Sequence, residues 1–179
     1  SSDVCSSDLF KTEGVKFVIG HYNSTLSMQL SQEVYEPAGM VMITPASTNP
    51  YLTERGLSNV FRLCGREDQQ GLVAANYILA NHADAKIAIV HDKSAYGKGL
   101  ADDVRKAMNA KGQIEVLYEG LTAGEKDFSP LVARIKASGA QMLFWGGLQT
   151  EGAILVRQMR EQGLTTQMMG GDGFASAEF

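Results

Sequence analysis

Residues 86–99 read KIAIVHDKSAYGKG and form the clearest strand–loop–helix step in this 179-residue sequence. The apolar run at its start is typical of a strand that is buried on both faces of a parallel sheet. Behind it, Leu100, Val104 and Met108 recur every four residues and predict a helix over 96–111. The step therefore predicts an α/β fold, in which ligands bind beyond the carboxyl ends of the strands.

The same rhythm continues on both sides of this step. Strands are predicted at 16–20, 40–44, 60–64, 86–91, 113–118, 141–145 and 167–169, and helices at 24–35, 67–81, 96–111, from 127 onward and at 150–162. The segment 45–58 contains two prolines and a glycine and is predicted to be an irregular loop. The helix over 67–81 is predicted to bury Leu72, Ala75, Ile78 and Leu79.

The predicted elements divide into two groups of unequal size. Residues 10–64 are expected to form part of a first lobe, because they supply at most two strand–helix steps. Residues 65–179 supply four strands and four helices and are expected to form most of a second lobe. Residues 1–9 repeat Ser-Ser-Asp without a helical or strand period, so we expect a non-native or linker-like leader.

Five loops follow the predicted strands and contain the best candidates for binding a ligand. These loops span 20–24, 44–48, 91–96, 146–150 and 170–173, and they collect small residues, hydroxyls, two Tyr and two Asp. Their sequences contain neither a metal-ligand cluster nor a plausible nucleophile–base pair. The pattern indicates a cleft for a small polar molecule and only weakly an active site.

Two kinds of polar group predict the chemistry of that molecule. Ser24 and Thr25 begin a helix, where N-capping is the ordinary role of a hydroxyl, but the same groups suit a ligand carboxylate. The segment 46–48 adds backbone groups and a hydroxyl at the neighbouring strand end. Asp172 would be the counter-charge for an ammonium group, although a solvated turn residue also explains it. A carboxylate site with an ammonium site predicts an α-amino acid.

The bulk composition excludes several other classes of partner. A formal net charge of −4 gives no electrostatic basis for binding nucleic acid or an anionic membrane surface. No apolar run approaches the roughly 18 residues of a transmembrane helix, so direct membrane insertion is not expected.

A serine hydrolase built on Ser24, His21 and Asp172 is disfavoured, because no G-x-S-x-G elbow is present and His21 lies only three residues before Ser24.

Five stretches carry a specific resemblance. They are GVKFVIGH at 14–21, MITPA at 42–46, IAIVHDKSAYG at 87–97, GLTAGEKDFS at 120–129 and GGDG at 170–173. They resemble the periplasmic Leu/Ile/Val-binding proteins, the substrate-binding components of branched-chain amino acid ABC transporters. The similarity extends from Phe10 to Phe179.

The resemblance implies an α/β fold like that of type I periplasmic binding proteins, with two lobes of parallel sheet flanked by helices. It also implies that the protein has no catalytic activity and binds no cofactor. It implies capture of a branched-chain or other aliphatic amino acid between hinged lobes, a membrane permease as partner and a monomer at full length. It also implies a periplasmic location, or a lipid-anchored extracellular one in a Gram-positive context. The chain would then be an internal fragment, incomplete at both ends and without the family's signal peptide.

The resemblance also implies roles for five residues of the first lobe. Ser24 matches the family serine that binds the ligand carboxylate, and Tyr22 and Asn23 lie on the same loop. Ala46 and Thr48 match residues whose backbone and hydroxyl contact the amino acid.

Three residues of the second lobe complete the implied site. Tyr96 matches a tyrosine that closes over the ligand, and Asp172 falls where some relatives carry Glu to hold the ammonium. Leu148 replaces a Tyr of well-known members, so the preferred amino acid stays open. An amino-acid or amide sensor of the same fold also stays open, because the sequence does not distinguish transport from regulation.

Overall fold

A computed structural model describes residues 12–175 of the chain, so the predicted leader at 1–9 lies outside the described residues. The chain forms two compact units that divide between Arg66 and Glu67. We call the part up to Arg66 unit 1 and the part from Glu67 onward unit 2, and each is described by itself.

Unit 1 contains a parallel three-stranded sheet in the order β1-β2-β3. Its strands are β1 (Phe17–Ile19), β2 (Val41–Thr44) and β3 (Val60–Arg62). Its helices are α1 (Ser24–Leu30), which continues as a π-helix (Ser31–Tyr35), and α2 (Tyr51–Glu54). The small core lies between the helical segment 24–35 and one face of the sheet, because Leu30, Val34 and Tyr35 pack with Val18 and Met42.

Unit 2 contains a parallel four-stranded sheet in the order β5-β4-β6-β7. Its strands are β4 (Ile87–His91), β5 (Leu117–Gly120), β6 (Met142–Gly146) and β7 (Gln167–Gly170). Its helices are α3 (Glu67–Asn81), α4 (Ala95–Asn109), α5 (Ser129–Ser138), α6 (Gln149–Glu161) and a 3-10 turn (Asp172–Phe174).

Helices cover both faces of the unit 2 sheet, so every residue of β4 and β6 is buried. One core contains α3 and α4 side chains such as Ile78, Leu100 and Val104, and the other contains α5 and α6 side chains such as Ile135 and Leu155. From β4 the chain proceeds to β5 on one side and then to β6 on the other. The carboxyl ends of β4 and β6 therefore meet at a topological switch point, the usual ligand position in such sheets.

Two strand and loop predictions were wrong. The segment 45–58 is not wholly irregular, because α2 begins after Pro50, and the Asn49 side chain accepts a hydrogen bond from Tyr51 N. The strand predicted at 113–118 begins only at Leu117. Ile114 is 63% exposed, and its alternation with Val116 belongs to a segment that precedes the strand ladder.

Two helix predictions also required correction. The helix at 24–35 changes to π-helical hydrogen bonding at Ser31. On α3, Leu72 is exposed and not buried, because α3 contacts α4 through its small residues. A Cβ on Gly71 would lie 2.6 Å from Asp103 Cβ, so this close approach places Gly71 and Ala75 inward and Leu72 outward.

Between residues 12 and 175, none of the helices has the length and hydropathy that crossing a bilayer requires. The same residues contain no group of three or more His, Cys, Asp or Glu side chains that could hold a metal ion.

Candidate functional site

The site residues of unit 1 lie on the two loops that follow β1 and β2 and at the start of α1, and Thr44 links the two loops by hydrogen bonds. Thr44 is fully buried at the end of β2, and its hydroxyl donates to the carbonyl of His21 at 3.1 Å. The same oxygen accepts hydrogen bonds from the N–H groups of Ala46 (3.2 Å) and Ser47 (2.9 Å). Thr44 therefore sets the turn that presents Ala46, a half-buried residue, beside the β1 loop.

The Ser24 side chain, a predicted ligand-binding hydroxyl, is only 1% exposed. Its Oγ accepts a hydrogen bond from Asn49 N at 3.2 Å, and Thr48 beside Asn49 is also 1% exposed. The predicted N-cap, Ser24 or Thr25, was wrong, because Asn23 Oδ1 accepts the Thr25 N–H at 2.8 Å. Because the Ser24 oxygen is the acceptor in its bond with Asn49 N, the hydroxyl can still donate a hydrogen bond to another acceptor.

A ring of hydrogen bonds through the Ser27 and Ser47 hydroxyls and the His21 main chain holds the β1 loop in place. Ser27 Oγ lies 2.6 Å from Ser47 Oγ, Ser47 Oγ donates to the His21 carbonyl at 2.8 Å, and His21 N donates to Ser27 Oγ at 3.1 Å. The His21 ring stacks on Tyr35 and its Nε2 lies 2.8 Å from the Tyr35 hydroxyl. Sequence reasoning missed Ser27 and Ser47, although a serine at 27 faces inward between Ser24 and Leu30 on the helix.

Tyr22 is the most exposed predicted site residue of unit 1, with 61% of its surface accessible. It lies on the same loop as Asn23, directly before the helix cap. An exposed aromatic ring at the carboxyl edge of a sheet is available to cover a ligand that binds there.

In unit 2, close glycine contacts allow the start of α4 to reach the sheet. A Cβ on Gly97 would overlap Asp92 Oδ1 and the Gly146 carbonyl oxygen, and it would lie 2.8 Å from the Gly146 carbonyl carbon. Asp92 N donates to that Gly146 oxygen at 3.0 Å, which ties the ends of β4 and β6 together. Ser94 caps α4 by accepting the Gly97 N–H at 2.9 Å. These contacts fix the position of Tyr96 in the first turn of α4.

Tyr96 pairs with Asp172, the acid predicted to hold an ammonium group. The Tyr96 hydroxyl donates to Asp172 Oδ1 at 2.8 Å and accepts from Gly173 N at 2.9 Å. Burial, and next the nearby Asp172 charge, raise the pKa of Tyr96 well above its usual value, so the hydroxyl stays protonated. Tyr96 is only 5% exposed, whereas Asp172 is exposed. The structure thus places the Tyr96 hydroxyl under Asp172 and leaves the carboxylate facing outward.

Leu148 lies beside the Asp172 turn and gives it an apolar neighbour. A Cβ on Gly173 would lie 2.9 Å from Leu148 Cδ2 and 2.8 Å from the Tyr96 hydroxyl oxygen, so Gly173 allows this close packing. The indole nitrogen of Trp145 donates to the Leu148 carbonyl at 3.0 Å and fixes the main chain there. Unit 2 therefore brings Tyr96, Leu148 and Asp172 together at its carboxyl edge.

Sequence reasoning missed Gln70, whose side-chain oxygen accepts the Asp172 N–H at 3.2 Å. The two residues are 102 positions apart, and no spacing rule connects them.

The geometry gives no support to the hydrolase alternative. Among the described residues, the hydrogen-bond partner of the Ser24 hydroxyl is the Asn49 main chain and not a histidine. The hydroxyl that contacts the Asp172 carboxylate belongs to Tyr96. A serine hydrolase requires a base on the hydroxyl of its nucleophile.

Comparisons of the sequence with known proteins agree on one family. The family described as "Periplasmic binding protein" matches residues 3–178. The chain is 53% identical over 169 residues to the Leu/Ile/Val-binding protein homolog 1 of Brucella melitensis, which covers 94% of this chain and 45% of that protein. It is 55% identical over 161 residues to an amino acid binding protein of Pseudomonas aeruginosa, covering 90% and 43%.

A comparison of the fold gives the same result. The leucine-binding protein LivK of Thermotoga maritima matches with a TM-score of 0.86 and 25% identity, over 98% of this chain and 50% of that one. A solute-binding protein of R. palustris, solved with 4-hydroxybenzoate, matches with a TM-score of 0.82 at 22% identity and supports the fold alone. The prediction of a type I periplasmic binding protein fold is confirmed. The chain spans about half the length of the curated relatives that it matches.

Proposed function

The chain belongs to the periplasmic binding protein family, and from this premise we propose that it is part of the substrate-binding protein of an ABC transporter. The proposed ligand is a branched-chain or other aliphatic amino acid. The observation that carries the proposal is the outward-facing Asp172 carboxylate held by Tyr96 in unit 2. The names of the relatives, which include Leu/Ile/Val-binding and leucine-binding proteins, support the same ligand class.

The ligand carboxylate is assigned to unit 1. The Ser24 hydroxyl would donate a hydrogen bond to the ligand carboxylate, since its oxygen already accepts the Asn49 N–H. Ala46 and Thr48 would add backbone and hydroxyl contacts, as the resemblance implies, and Asn23 and Tyr22 would border the loop. A hydrogen bond from a neutral hydroxyl to a charged carboxylate is among the stronger kinds in proteins.

The ligand ammonium is assigned to Asp172 in unit 2. Within the part of the chain that the structure describes, Asp172 Oδ1 is paired with Tyr96, and the other carboxylate oxygen is available for a cation. Leu148 would contact an aliphatic side chain, because it is the apolar neighbour of this turn. An acid and an apolar side chain together suit an aliphatic α-amino acid better than a sugar or a nucleotide.

The proposed mechanism is capture without covalent change. A ligand that contacts residues of both units would stabilise the conformation in which both sets of residues can reach it, because those contacts exist only there. The proposal includes a membrane permease as the partner of the full-length protein, a monomeric state and a periplasmic or extracellular location. A cofactor has no role in it.

Calorimetry of the full-length protein against the twenty common amino acids tests the proposal. We expect an aliphatic L-amino acid to bind most tightly and to be recovered unchanged, as judged by mass spectrometry after release. Binding confined to sugars or nucleotides, or recovery of a chemically altered ligand, would contradict it.

A further inference from the structure

Asp172 lies on a short turn that would not by itself hold a carboxylate still. The turn, Asp172–Phe174, is a single 3-10 turn after β7, and Asp172 is exposed. An exposed acidic side chain in such a turn ordinarily samples several rotamers, so its position must come from other residues. Two side chains from different helices of unit 2 contact it.

The first is Tyr96 from α4, whose hydroxyl contacts the turn at two points. It donates to the Asp172 carboxylate at 2.8 Å and accepts from the Gly173 main chain at 2.9 Å. Both the proton and a lone pair of the hydroxyl are therefore used inside unit 2. With 5% of its surface exposed, the ring packs in the core of unit 2 and offers little area to a ligand, whereas the hydroxyl contacts Asp172.

The second is Gln70 from α3, which contacts the main chain of the same residue. Gln70 Oε1 accepts the Asp172 N–H at 3.2 Å. A Cβ on Gly171 would lie 3.2 Å from this oxygen and would overlap Leu100 Cδ2, so the glycine lets the turn approach both helices. Gln70 thus fixes the backbone from which the carboxylate projects.

We propose that Gln70 and Tyr96 are positioning residues that fix the Asp172 carboxylate for the ammonium group of the ligand. The inference rests on the proposed function, because it deepens the role of the same site. Gln70 anchors the main chain, Tyr96 anchors one carboxylate oxygen, and the second oxygen remains for the ligand. Since the carboxylate is ordered before binding, the ligand does not bear the entropy cost of ordering it.

The test measures L-leucine binding by calorimetry in the full-length protein and four variants. Tyr96→Phe and Gln70→Met remove one hydrogen-bonding group each at nearly constant size. Gln69→Met is the control for Gln70, because Gln69 is the exposed neighbour on α3. Tyr118→Phe is the control for Tyr96, because the Tyr118 hydroxyl also pairs with an aspartate, Asp102, elsewhere in unit 2. If calorimetry against the twenty common amino acids finds an aliphatic amino acid that binds more tightly than leucine, that amino acid replaces leucine as the probe.

We expect Tyr96→Phe to weaken binding about tenfold and Gln70→Met about three- to tenfold, with both controls within about twofold of the wild type. The decisive measurement repeats both substitutions in an Asp172→Ala background. There neither should cause a further loss, because each acts only through the absent carboxylate. A purely structural role would instead lower the affinity in both backgrounds.

Two results would overturn the inference while leaving the proposed function intact. One is undiminished leucine affinity in both Tyr96→Phe and Gln70→Met. The other is a loss of the same size with and without the Asp172 side chain. Absence of amino-acid binding by the wild type would instead contradict the proposed function itself. Thermal melting of each variant identifies any that fails to fold, and Gln70→Met, on the helix surface, then carries the test.

Discussion

In unit 2 every residue of β4 and β6 is buried, whereas in unit 1 β1 leaves Phe17 and Ile19 71% and 81% exposed. The two units follow the same strand–helix rhythm. Within residues 12–175, helices pack on both faces of the unit 2 sheet, whereas the core described for unit 1 lies on one face of its sheet. Burial of apolar surface is the main stabilising term in folding, so unit 2 has the larger share of it.

The units also hold their candidate site residues by different means. In unit 1 a ring of buried hydrogen bonds through Ser27, Ser47 and the His21 main chain fixes the loops. In unit 2 close packing at Gly97 and Gly146 brings a helix start to the sheet. The loops of unit 1 therefore depend on satisfied buried polar groups, whereas the site of unit 2 depends on close packing. Each dependence can be tested by a different kind of substitution.

The largest expected effect separates the units by their role in binding. Asp172→Asn in unit 2 should weaken amino-acid binding by about 2–5 kcal/mol, because a desolvated ammonium would lose its counter-charge. Ser24→Ala in unit 1 should cost only about 0.5–1.5 kcal/mol, because one neutral hydroxyl among several donors is lost. Calorimetric titration of both variants of the full-length protein measures the difference. Equal losses would mean that another residue holds the ammonium.

The next prediction concerns the shape of unit 2. Gly97→Ala should lower the free energy of unfolding of unit 2 by about 1–3 kcal/mol, because the new methyl would overlap Asp92 and Gly146. Trp145, which is fully buried in unit 2, is the only tryptophan of the sequence and reports unfolding by fluorescence. The control is Gly65→Ala in unit 1, where a Cβ would meet no atom within 4 Å. Equal stability of the two variants would show that the α4 start can move away from the sheet.

Much of the fold could be predicted because burial leaves a pattern in the sequence. Continuous apolar runs at β4 and β6 and the four-residue repeat of α4 are direct consequences of burial. The strand at β5 was misplaced because Ile114 and Val116 alternate as a half-buried strand does, yet both side chains are exposed. The short helix α2 was missed because four residues are too few to show a period.

The candidate site could be predicted only in part, for a related reason. Loops at the carboxyl ends of parallel strands can be located from strand order, and they contain Ser24, Tyr96 and Asp172. The ring of hydrogen bonds in unit 1 and the contact of Gln70 with Asp172 in unit 2 join residues that are 6 to 102 positions apart in the sequence. Such pairings are set by tertiary packing, so no local spacing indicates them.

The third prediction concerns the ring of hydrogen bonds through Ser27, Ser47 and the His21 main chain in unit 1. Ser27→Ala should destabilise unit 1 by about 1–3 kcal/mol, because the buried His21 N–H and Ser47 hydroxyl would both lose a partner. Hydrogen exchange of the loop at 20–24 should rise accordingly. Ser58→Ala, an exposed serine of the same unit, should stay within about 0.5 kcal/mol of the wild type. If Ser27→Ala leaves exchange unchanged, the close packing of Tyr35 and Leu30 alone holds the loop.

The smallest expected effect is a pH dependence confined to unit 2. His91 lies at the end of β4, is 5% exposed, and its Nδ1 accepts the Lys93 N–H at 3.1 Å. Burial is the main cause that lowers the pKa of His91; Lys98 and Lys93 lower it further, and Asp102 and Asp92 oppose them. Tyr118 packs against the ring, and its neutral hydroxyl pairs with Asp102.

The sign of this effect follows from the two protonation states. The unfolded chain binds a proton at His91 below about pH 6.5, while folded unit 2 resists doing so until a lower pH. Unit 2 should therefore keep its full stability above pH 6.5 and lose part of it as the pH falls through the folded pKa. The Trp145 fluorescence midpoint in urea at pH 7.5 and 5.5 measures this loss, and His91→Gln, whose amide oxygen can still accept the Lys93 N–H, should reduce it. An equal shift in the variant would assign the pH dependence to other groups of unit 2.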